Sequence, residues 1–169
     1  SLIENYSQIK KNIWARDKYF GEQLHNKTLG VIGLGRLGNI TSKIGNGFGM
    51  NVIGYDIKKN IKVRKVKNVS LSFLLKKSDI ISIHIHLNDK NKNFIDKKKL
   101  QLTKLNSILI NTSRGQIINE KDLLFFLKNK RNFRAGLDVI DGEWLKKNEL
   151  TKHPLIRYSN KNENLIILP

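Results

Sequence analysis

A cluster of glycines directly after a short apolar run constrains this chain more than any other feature. The cluster reads Gly33-Leu34-Gly35-Arg36-Leu37-Gly38, and the residues from Arg36 to about Phe48 follow it with the apolar spacing of a helix. In a strand–turn–helix unit Gly33 allows a tight turn, Gly35 lets a ligand approach the backbone, and Gly38 lets the helix pack closely on the strand. A glycine-rich turn without a ligand is the alternative, but this context favours a dinucleotide-binding unit.

Apolar runs and amphipathic segments alternate along the rest of the chain. The runs predict six strands, at residues 28–33, 51–56, 79–84, 107–111, 134–139 and 165–168. The segments between them predict helices at residues 36–48, 70–77, 96–104 and 119–128, with Ser70 and Asn119 as N-caps. Strands that are apolar throughout are buried on both faces. The chain is therefore predicted to form an α/β fold, a doubly wound, Rossmann-like parallel sheet in a three-layer αβα arrangement.

The composition indicates one globular domain with a short extension in front of it. Residues 1–25 are predicted to be a lead-in helix and arm, whose Trp14 and Phe20 need packing partners, and residues 26–169 the dinucleotide-binding domain. No apolar run reaches the roughly 18 residues of a membrane span, so no membrane partner is expected. The chain has no cysteine, which excludes disulfides and thiolate metal sites and favours a reducing compartment. We expect a cytoplasmic location and no metal site.

The net charge of +18 has two readings. It could indicate affinity for nucleic acid or another polyanion. However, Lys far outweighs Arg, which is the usual residue for forked recognition of bases and phosphates, and the lysines crowd into segments such as 89–93 and 97–99 that resemble solvated loops and helix ends. We therefore expect no nucleic-acid partner, and only a general attraction to anionic ligands.

Asp56 ends the second predicted strand, 18 residues beyond Gly38. An acid near this spacing binds the adenosine ribose hydroxyls in dinucleotide-binding folds and repels a 2′-phosphate. The amides of Arg36 and Leu37 would face the pyrophosphate at the positive end of the following helix. Lys58 and Lys59 argue weakly for a phosphorylated ribose, but Asp56 is better placed. The predicted cofactor is NAD.

Two polar clusters follow the fourth and fifth predicted strands. The first reads Asn111-Thr112-Ser113-Arg114-Gly115, and its arginine could clamp a substrate carboxylate in bidentate fashion or merely cap the sheet. The second, Leu137-Asp138-Val139-Ile140-Asp141-Gly142-Glu143, carries three acids. One could bind a nicotinamide amide and another could hold a catalytic base, or the acids could be ordinary surface groups. Ligands of open parallel sheets bind beyond these strand ends, which favours the functional reading.

Five ordered stretches carry a resemblance to a known family. They read KTLGVIGLGRLGN, FGMNVIGYD, SDIISIHIHL, ILINTSRGQIINEKDL and AGLDVIDGE. With their separations they resemble the D-isomer-specific 2-hydroxyacid dehydrogenases, the family of phosphoglycerate dehydrogenase, from about Trp14 to Pro169. The resemblance implies an oxidoreductase that transfers a hydride between NAD and the CH–OH group of a D-2-hydroxy acid, with 2-keto acid reduction in reverse. It also implies a homodimer.

The resemblance assigns roles to individual residues. Arg114 matches the arginine that binds substrate carboxylate and carbonyl, and Glu143 the acid that supports the catalytic imidazole. Asp138 matches the acid that holds the nicotinamide carboxamide. The other cofactor contacts implied are Ile85, His86 and Leu87 beside the adenosine, and Thr112 and Ser113 on the nicotinamide side.

The family's catalytic histidine is expected directly after Pro169, where this sequence stops. His25, His84, His86 and His153 are expected to be loop or packing residues. The chain alone is expected to bind NAD and catalyse little, because the family's substrate domain is also missing. A non-catalytic NAD sensor of the corepressor type is the alternative function. Retention of Arg114 and Glu143 favours the enzyme, and the substrate stays open.

Three departures from the family pattern concern packing. His86 and Trp144 each replace a usual proline. Gly45 and Gly47 stand in the first predicted helix where the family favours alanine, at a cost of up to about 1 kcal/mol each if they are interior.

Overall fold

The computed structural model describes residues 2–14, 21–58, 61–142 and 147–168. In chain order the elements are α1 (Leu2–Ile9), β1 (Thr28–Ile32), α2 (Arg36–Gly47), β2 (Asn51–Tyr55), β3 (Lys67–Asn68), α3 (Leu71–Lys77), β4 (Ile80–Ile83), α4 (Lys97–Leu100), β5 (Ile108–Asn111), a 3₁₀ turn (Gly115–Ile117), α5 (Glu120–Asn129), β6 (Arg134–Leu137), α6 (Lys147–Leu150), α7 (Pro154–Ser159) and β7 (Leu165–Ile167). No helix among these residues is long and apolar enough to cross a bilayer.

The described strands form one parallel sheet in the order β3-β2-β1-β4-β5-β6-β7. The chain runs outward from β1 in one direction through β2 and β3, and then returns to start β4 on the other side of β1. This reversal between β1 and β4 is the switch point at which open α/β sheets bind ligands. The predicted doubly wound α/β fold is confirmed.

Alternate residues of β1 show how the two faces are covered. Leu29 and Val31 belong to a cluster that also contains Met50 and Val52. Ile32 belongs to the larger cluster on the other face, and a Cβ on Gly30 would collide with Leu74 of α3. Burial of each such aliphatic side chain contributes about 1.5–3 kcal/mol, so the two clusters hold the helices against the sheet.

Most predicted elements are present, with ends shifted by one or two residues. Ser70 and Asn119 are N-caps as predicted, and their side chains accept from the N–H groups of Phe73 and Asp122. The predicted helix 96–104 was too long, because only Lys97–Leu100 is helical. The Thr103 hydroxyl there donates to the carbonyl of Leu100.

Four elements were not predicted, namely β3, the 3₁₀ turn, α6 and α7. Strand β3 is a two-residue exposed edge strand paired with β2. It is too short and too polar to show the apolar pattern by which strands are predicted. Helices α6 and α7 were taken as part of a loop before the last strand. Pro154 begins α7, and the His153 side chain caps it by accepting from the Leu155 N–H.

The arm begins with a helix as predicted, α1. The packing partner expected for Trp14 is not found among the described residues, since its side chain is 81% exposed. Phe20 lies outside the described residues.

Candidate active site

The carboxyl ends of five strands lie side by side along one edge of the sheet. Ile32 of β1 is opposite Tyr55 of β2 and Ile83 of β4, which is in turn opposite Asn111 of β5, itself opposite Leu137 of β6. The residues that follow these strand ends therefore line the same edge. From β2 to β6 this edge spans four inter-strand steps, or roughly 19 Å. The described residues assigned to the site from the sequence lie on the loops along this edge or in the first turn of α2.

The glycine turn after β1 is built by close backbone contacts. Gly33 has φ +92°, a conformation that favours glycine, and a Cβ there would collide with the carbonyl of His84. Its N–H donates to Tyr55 O at 2.8 Å. A Cβ on Gly38 would collide with the carbonyl of Gly33, so α2 begins in contact with the turn. Both glycines have the roles expected from their spacing.

The N-terminus of α2 has the properties of a phosphate site. Gly35 is the N-cap and supplies no side chain to the first amides of the helix. A Cβ on Gly35 would meet nothing within 4 Å, while Arg36 and Leu37 are exposed. Free helix amides beside open space fit the pyrophosphate of a dinucleotide.

Asp56 joins the glycine turn to the end of β2. Its Oδ2 accepts from the Leu34 N–H at 2.8 Å, and its Oδ1 accepts from the Lys58 N–H at 2.9 Å. Each carboxylate oxygen has a further lone pair. Asp56 can thus hold the turn and still accept hydrogen bonds from ribose hydroxyls.

The segment after β4 lies at the switch point. Ile85 and Leu87 are half-buried against the larger core cluster, whereas His86 is exposed. His84 just before them is half-buried, and its Nε2 lies 2.9 Å from the Ser82 hydroxyl. Burial lowers the pKa of His84 below its usual value, so its imidazole is neutral at pH 7.

The turn after β5 is held by Asn111, which is fully buried. Its Nδ2 donates to Arg114 O at 2.9 Å, and its Oδ1 accepts from the Ser113 N–H at 3.0 Å. The Ser113 hydroxyl donates to Ile83 O at 2.7 Å, which ties the turn to β4. Thr112 and Arg114 are exposed at the edge, and Arg114 Nη1 donates to Ser113 O at 2.6 Å. This network holds the turn that carries the guanidinium at the end of β5, one strand away from the switch point between β1 and β4.

The acids after β6 are only partly described. Asp138 is exposed, and its N–H donates to Asn111 O at 3.0 Å, which continues the ladder between β5 and β6 past the strand end. Glu143, predicted to support the catalytic imidazole, lies outside the described residues, as does Trp144.

The family of this chain follows from its match to a known domain. The model of the D-isomer specific 2-hydroxyacid dehydrogenase NAD-binding domain matches residues 1–169. The chain belongs to this family.

Individual relatives agree with this assignment. The D-3-phosphoglycerate dehydrogenase of Methanocaldococcus jannaschii is 37% identical over 150 residues, which cover 85% of this chain and 28% of that protein. The glyoxylate reductase of Thermococcus litoralis is 38% identical over 161 residues, which cover 89% of this chain and 49% of that protein. The chain therefore spans half or less of the length of these relatives.

A solved structure gives the same result for the fold. The D-lactate dehydrogenase from Aquifex aeolicus, complexed with NAD and lactic acid, matches this NAD-binding domain with a TM-score of 0.86 at 31% identity. The match covers 99% of this chain and 54% of that one.

Two polar features of the dehydrogenase domain were not singled out from the sequence. Asn111 was quoted only as part of a motif, although an Asn at the end of an apolar run is a recognisable turn signal. Glu120 and His153 form the second feature, with His153 Nε2 3.1 Å from Glu120 Oε2. These residues are 33 positions apart, so no local pattern links them. Burial, aided by the nearby Asp141 carboxylate, raises the pKa of Glu120 despite the hydrogen bond from the Asp141 N–H and the proximity of His153.

Proposed function

We propose that the protein containing this chain is an NAD-dependent dehydrogenase of D-2-hydroxy acids, which reduces 2-keto acids in the reverse direction. The observation that carries the proposal is the position of Arg114, held by Asn111 at the end of β5, on the same sheet edge as the glycine turn. A guanidinium in this position can bind a carboxylate in bidentate fashion beside a bound dinucleotide.

The cofactor contacts follow from the order of the strand ends. The amides of Arg36 and Leu37 would hold the pyrophosphate beside Gly33, Gly35 and Gly38, and Asp56 the adenosine ribose. The segment Ile85–Leu87 would border the adenosine, while Thr112, Ser113 and Asp138 would line the nicotinamide. The preference for NAD over NADP rests on Asp56, whose carboxylate would repel a 2′-phosphate.

The cofactor, Arg114 and Glu143 have different roles in the proposed reaction. NAD supplies a hydride acceptor at its nicotinamide ring. Arg114 binds the substrate carboxylate and so orients its C2 hydroxyl. Glu143, by the family resemblance, would orient the family's catalytic histidine and keep it basic, so that this histidine removes the hydroxyl proton.

A screen of 2-keto acids with NADH, on the full-length protein, tests the proposal. We expect NADH oxidation with at least one short 2-keto acid and no reaction with the corresponding aldehyde that lacks a carboxylate. Equal rates with both would contradict a role for Arg114 as the carboxylate anchor. The relatives described above all carry the names of enzymes, so the corepressor-type alternative has no support among them.

The exposed apolar face of α2 supports a homodimer as a further part of the proposal. Ile40 and Ile44 of α2 and its C-cap residue Phe48 recur at intervals of four residues and are exposed, as is Trp14 of the arm. Such a face normally packs against another surface. Light scattering of the full-length protein should give twice the chain mass, and Ile44→Lys should shift it toward the monomer.

The cytoplasm is the location we propose, because a chain without cysteine suits a reducing compartment. Fractionation of the source cells should recover the protein with soluble cytoplasmic markers.

A further inference from the structure

Asp141, in the loop after β6, is held at three of its polar groups. Its N–H donates to Glu120 Oε1 at 2.7 Å, and its carbonyl oxygen lies 3.1 Å from His153 Nε2. Its Oδ1 accepts from Gln116 Nε2 at 2.9 Å. The three partners come from the 3₁₀ turn, the start of α5 and the segment before α7. Three separate elements thus converge on one loop residue.

The hydrogen bonds of His153 define its role in this cluster. Its Nδ1 accepts from the Leu155 N–H at 3.3 Å, so the ring N–H that can donate is on Nε2. That N–H points at both Glu120 Oε2 and the Asp141 carbonyl, each 3.1 Å away. The side chains of His153 and Glu120 are only 10% and 17% exposed. A mostly buried carboxylate needs such partners, which makes the arrangement rigid.

The braced loop lies against the turn that carries Arg114. A Cβ on Gly115 would collide with the backbone of Ile140 and Asp141, so the two segments are in direct backbone contact. Asp141 comes two residues before Glu143 in the chain. The hydrogen bonds around Asp141 therefore hold this part of the loop directly against the turn that carries Arg114.

From this geometry we propose that Glu120 and His153 are positioning residues, which hold the loop at Asp141 against the turn that carries Arg114 and so keep Arg114 in place. The inference rests on the proposed function, in which Arg114 binds the substrate carboxylate. Neither residue contacts the substrate in this scheme. Loss of the brace should reduce turnover while leaving the glycine turn and Asp56 unchanged.

Two variants and a matched control in the full-length protein test the inference. Glu120→Ala removes the acceptor for the Asp141 N–H. His153→Asn keeps an oxygen that can cap α7 but is too short to reach Glu120. The control is Asp79→Asn at the opposite, amino-terminal edge of the sheet, which weakens a bond to the Thr28 N–H and an ion pair with Lys104.

Two measurements separate positioning from general destabilisation. Hydrogen exchange of the peptide that contains Asp141 should accelerate in both brace variants and not in Asp79→Asn. The kcat with a 2-keto acid should fall about ten- to a hundredfold in both brace variants, with KM for NADH changed less than threefold, since small displacements of catalytic groups have effects of this order. Asp79→Asn should keep its kcat at a comparable loss of melting temperature.

The outcomes are distinguishable. Unchanged exchange at Asp141 in either brace variant would overturn the brace itself. Faster exchange with a kcat no lower than that of Asp79→Asn would overturn the positioning role. A wild-type protein that reduces no 2-keto acid would instead refute the proposed function, and the exchange data would still decide whether the brace holds the loop.

Discussion

The Asp56 carboxylate accepts a hydrogen bond from the Leu34 N–H at 2.8 Å, which ties the end of β2 to the glycine turn after β1. The residue proposed to bind the ribose is thus also part of the scaffold of the phosphate site. The proposed ribose and phosphate contacts therefore share one hydrogen-bonded scaffold.

Asp56→Ala should weaken NAD binding at least tenfold and narrow the preference for NAD over NADP. The variant loses the acceptor for ribose hydroxyls and the charge that repels a 2′-phosphate. The unfolding free energy should fall by about 1 kcal/mol, because the Leu34 and Lys58 N–H groups lose their partner. Titration calorimetry with both dinucleotides checks this, and an unaltered NAD-to-NADP ratio would speak against a ribose contact.

Gly35→Ala should weaken NAD binding at least tenfold without lowering the melting temperature. A Cβ there enters open space beside the uncapped amides of α2, so it disturbs a ligand and not the fold. Gly47→Ala is the matched control, since it also points into open space but lies at the other end of the same helix. Equal affinities of the two variants for NAD would contradict binding of the pyrophosphate at this helix terminus.

Gly45→Ala and Gly47→Ala should change stability in opposite directions. A Cβ on Gly45 would lie 2.6 Å from Leu29 Cδ2 and 3.2 Å from Val52 Cγ2, and overpacking of this kind costs about 1–3 kcal/mol. Gly47→Ala meets no atom and should stabilise α2 by up to about 1 kcal/mol. Denaturant unfolding measures both. A stabilised Gly45→Ala variant would mean that Leu29 can move aside, and that glycine is not required there.

Arg114→Ala in the full-length protein should lower kcat/KM for a 2-keto acid by at least a hundredfold and leave NADH affinity within about threefold. The substrate loses its carboxylate anchor, whereas the pyrophosphate and ribose contacts lie at other strand ends. Arg114→Lys keeps the charge but not the fork, so it should recover only part of the loss. Steady-state kinetics with fluorescence titration of NADH provide the measurement, and full activity of the lysine variant would exclude bidentate binding.

Asp79 should contribute to stability at neutral pH but not in acid. Partial burial opposes ionisation, but the hydrogen bonds from Lys104 and the Thr28 N–H, with the Lys104 charge, outweigh it and lower the pKa of Asp79 below its ordinary value of 3.8. A lowered folded-state pKa gives stability that is fully present above this ordinary value and is lost as the pH falls through the folded-state pKa.

Asp79→Asn should therefore reduce the unfolding free energy by about 1 kcal/mol near neutral pH. As the pH is lowered, the unfolding free energy of the variant should fall less steeply than that of the wild type. Denaturant titrations across the acid range give both quantities. Identical acid profiles for the variant and the wild type would show that the Lys104 pairing does not stabilise the fold.

The Arg114 turn shows where prediction from local sequence ends. The motif Asn111–Gly115 identified the arginine because its residues are neighbours in the chain. The hydrogen bond of Ser113 to Ile83, across 30 positions, could not be predicted, since it depends on which strands become adjacent. The role of Glu143 likewise cannot be derived from the local sequence, and it rests on the family resemblance alone.

The amino-acid sequence by itself determined the glycine turn, the alternation of strands and helices, and the strand ends that carry polar residues. These features depend on the conformational freedom of glycine and on apolar periodicity, which are properties of short segments. Only the tertiary structure decided the edge strand β3, the exposure of Trp14 and the pairing of Glu120 with His153 around Asp141. Those features are contacts between distant segments, and their energies depend on the path of the folded backbone.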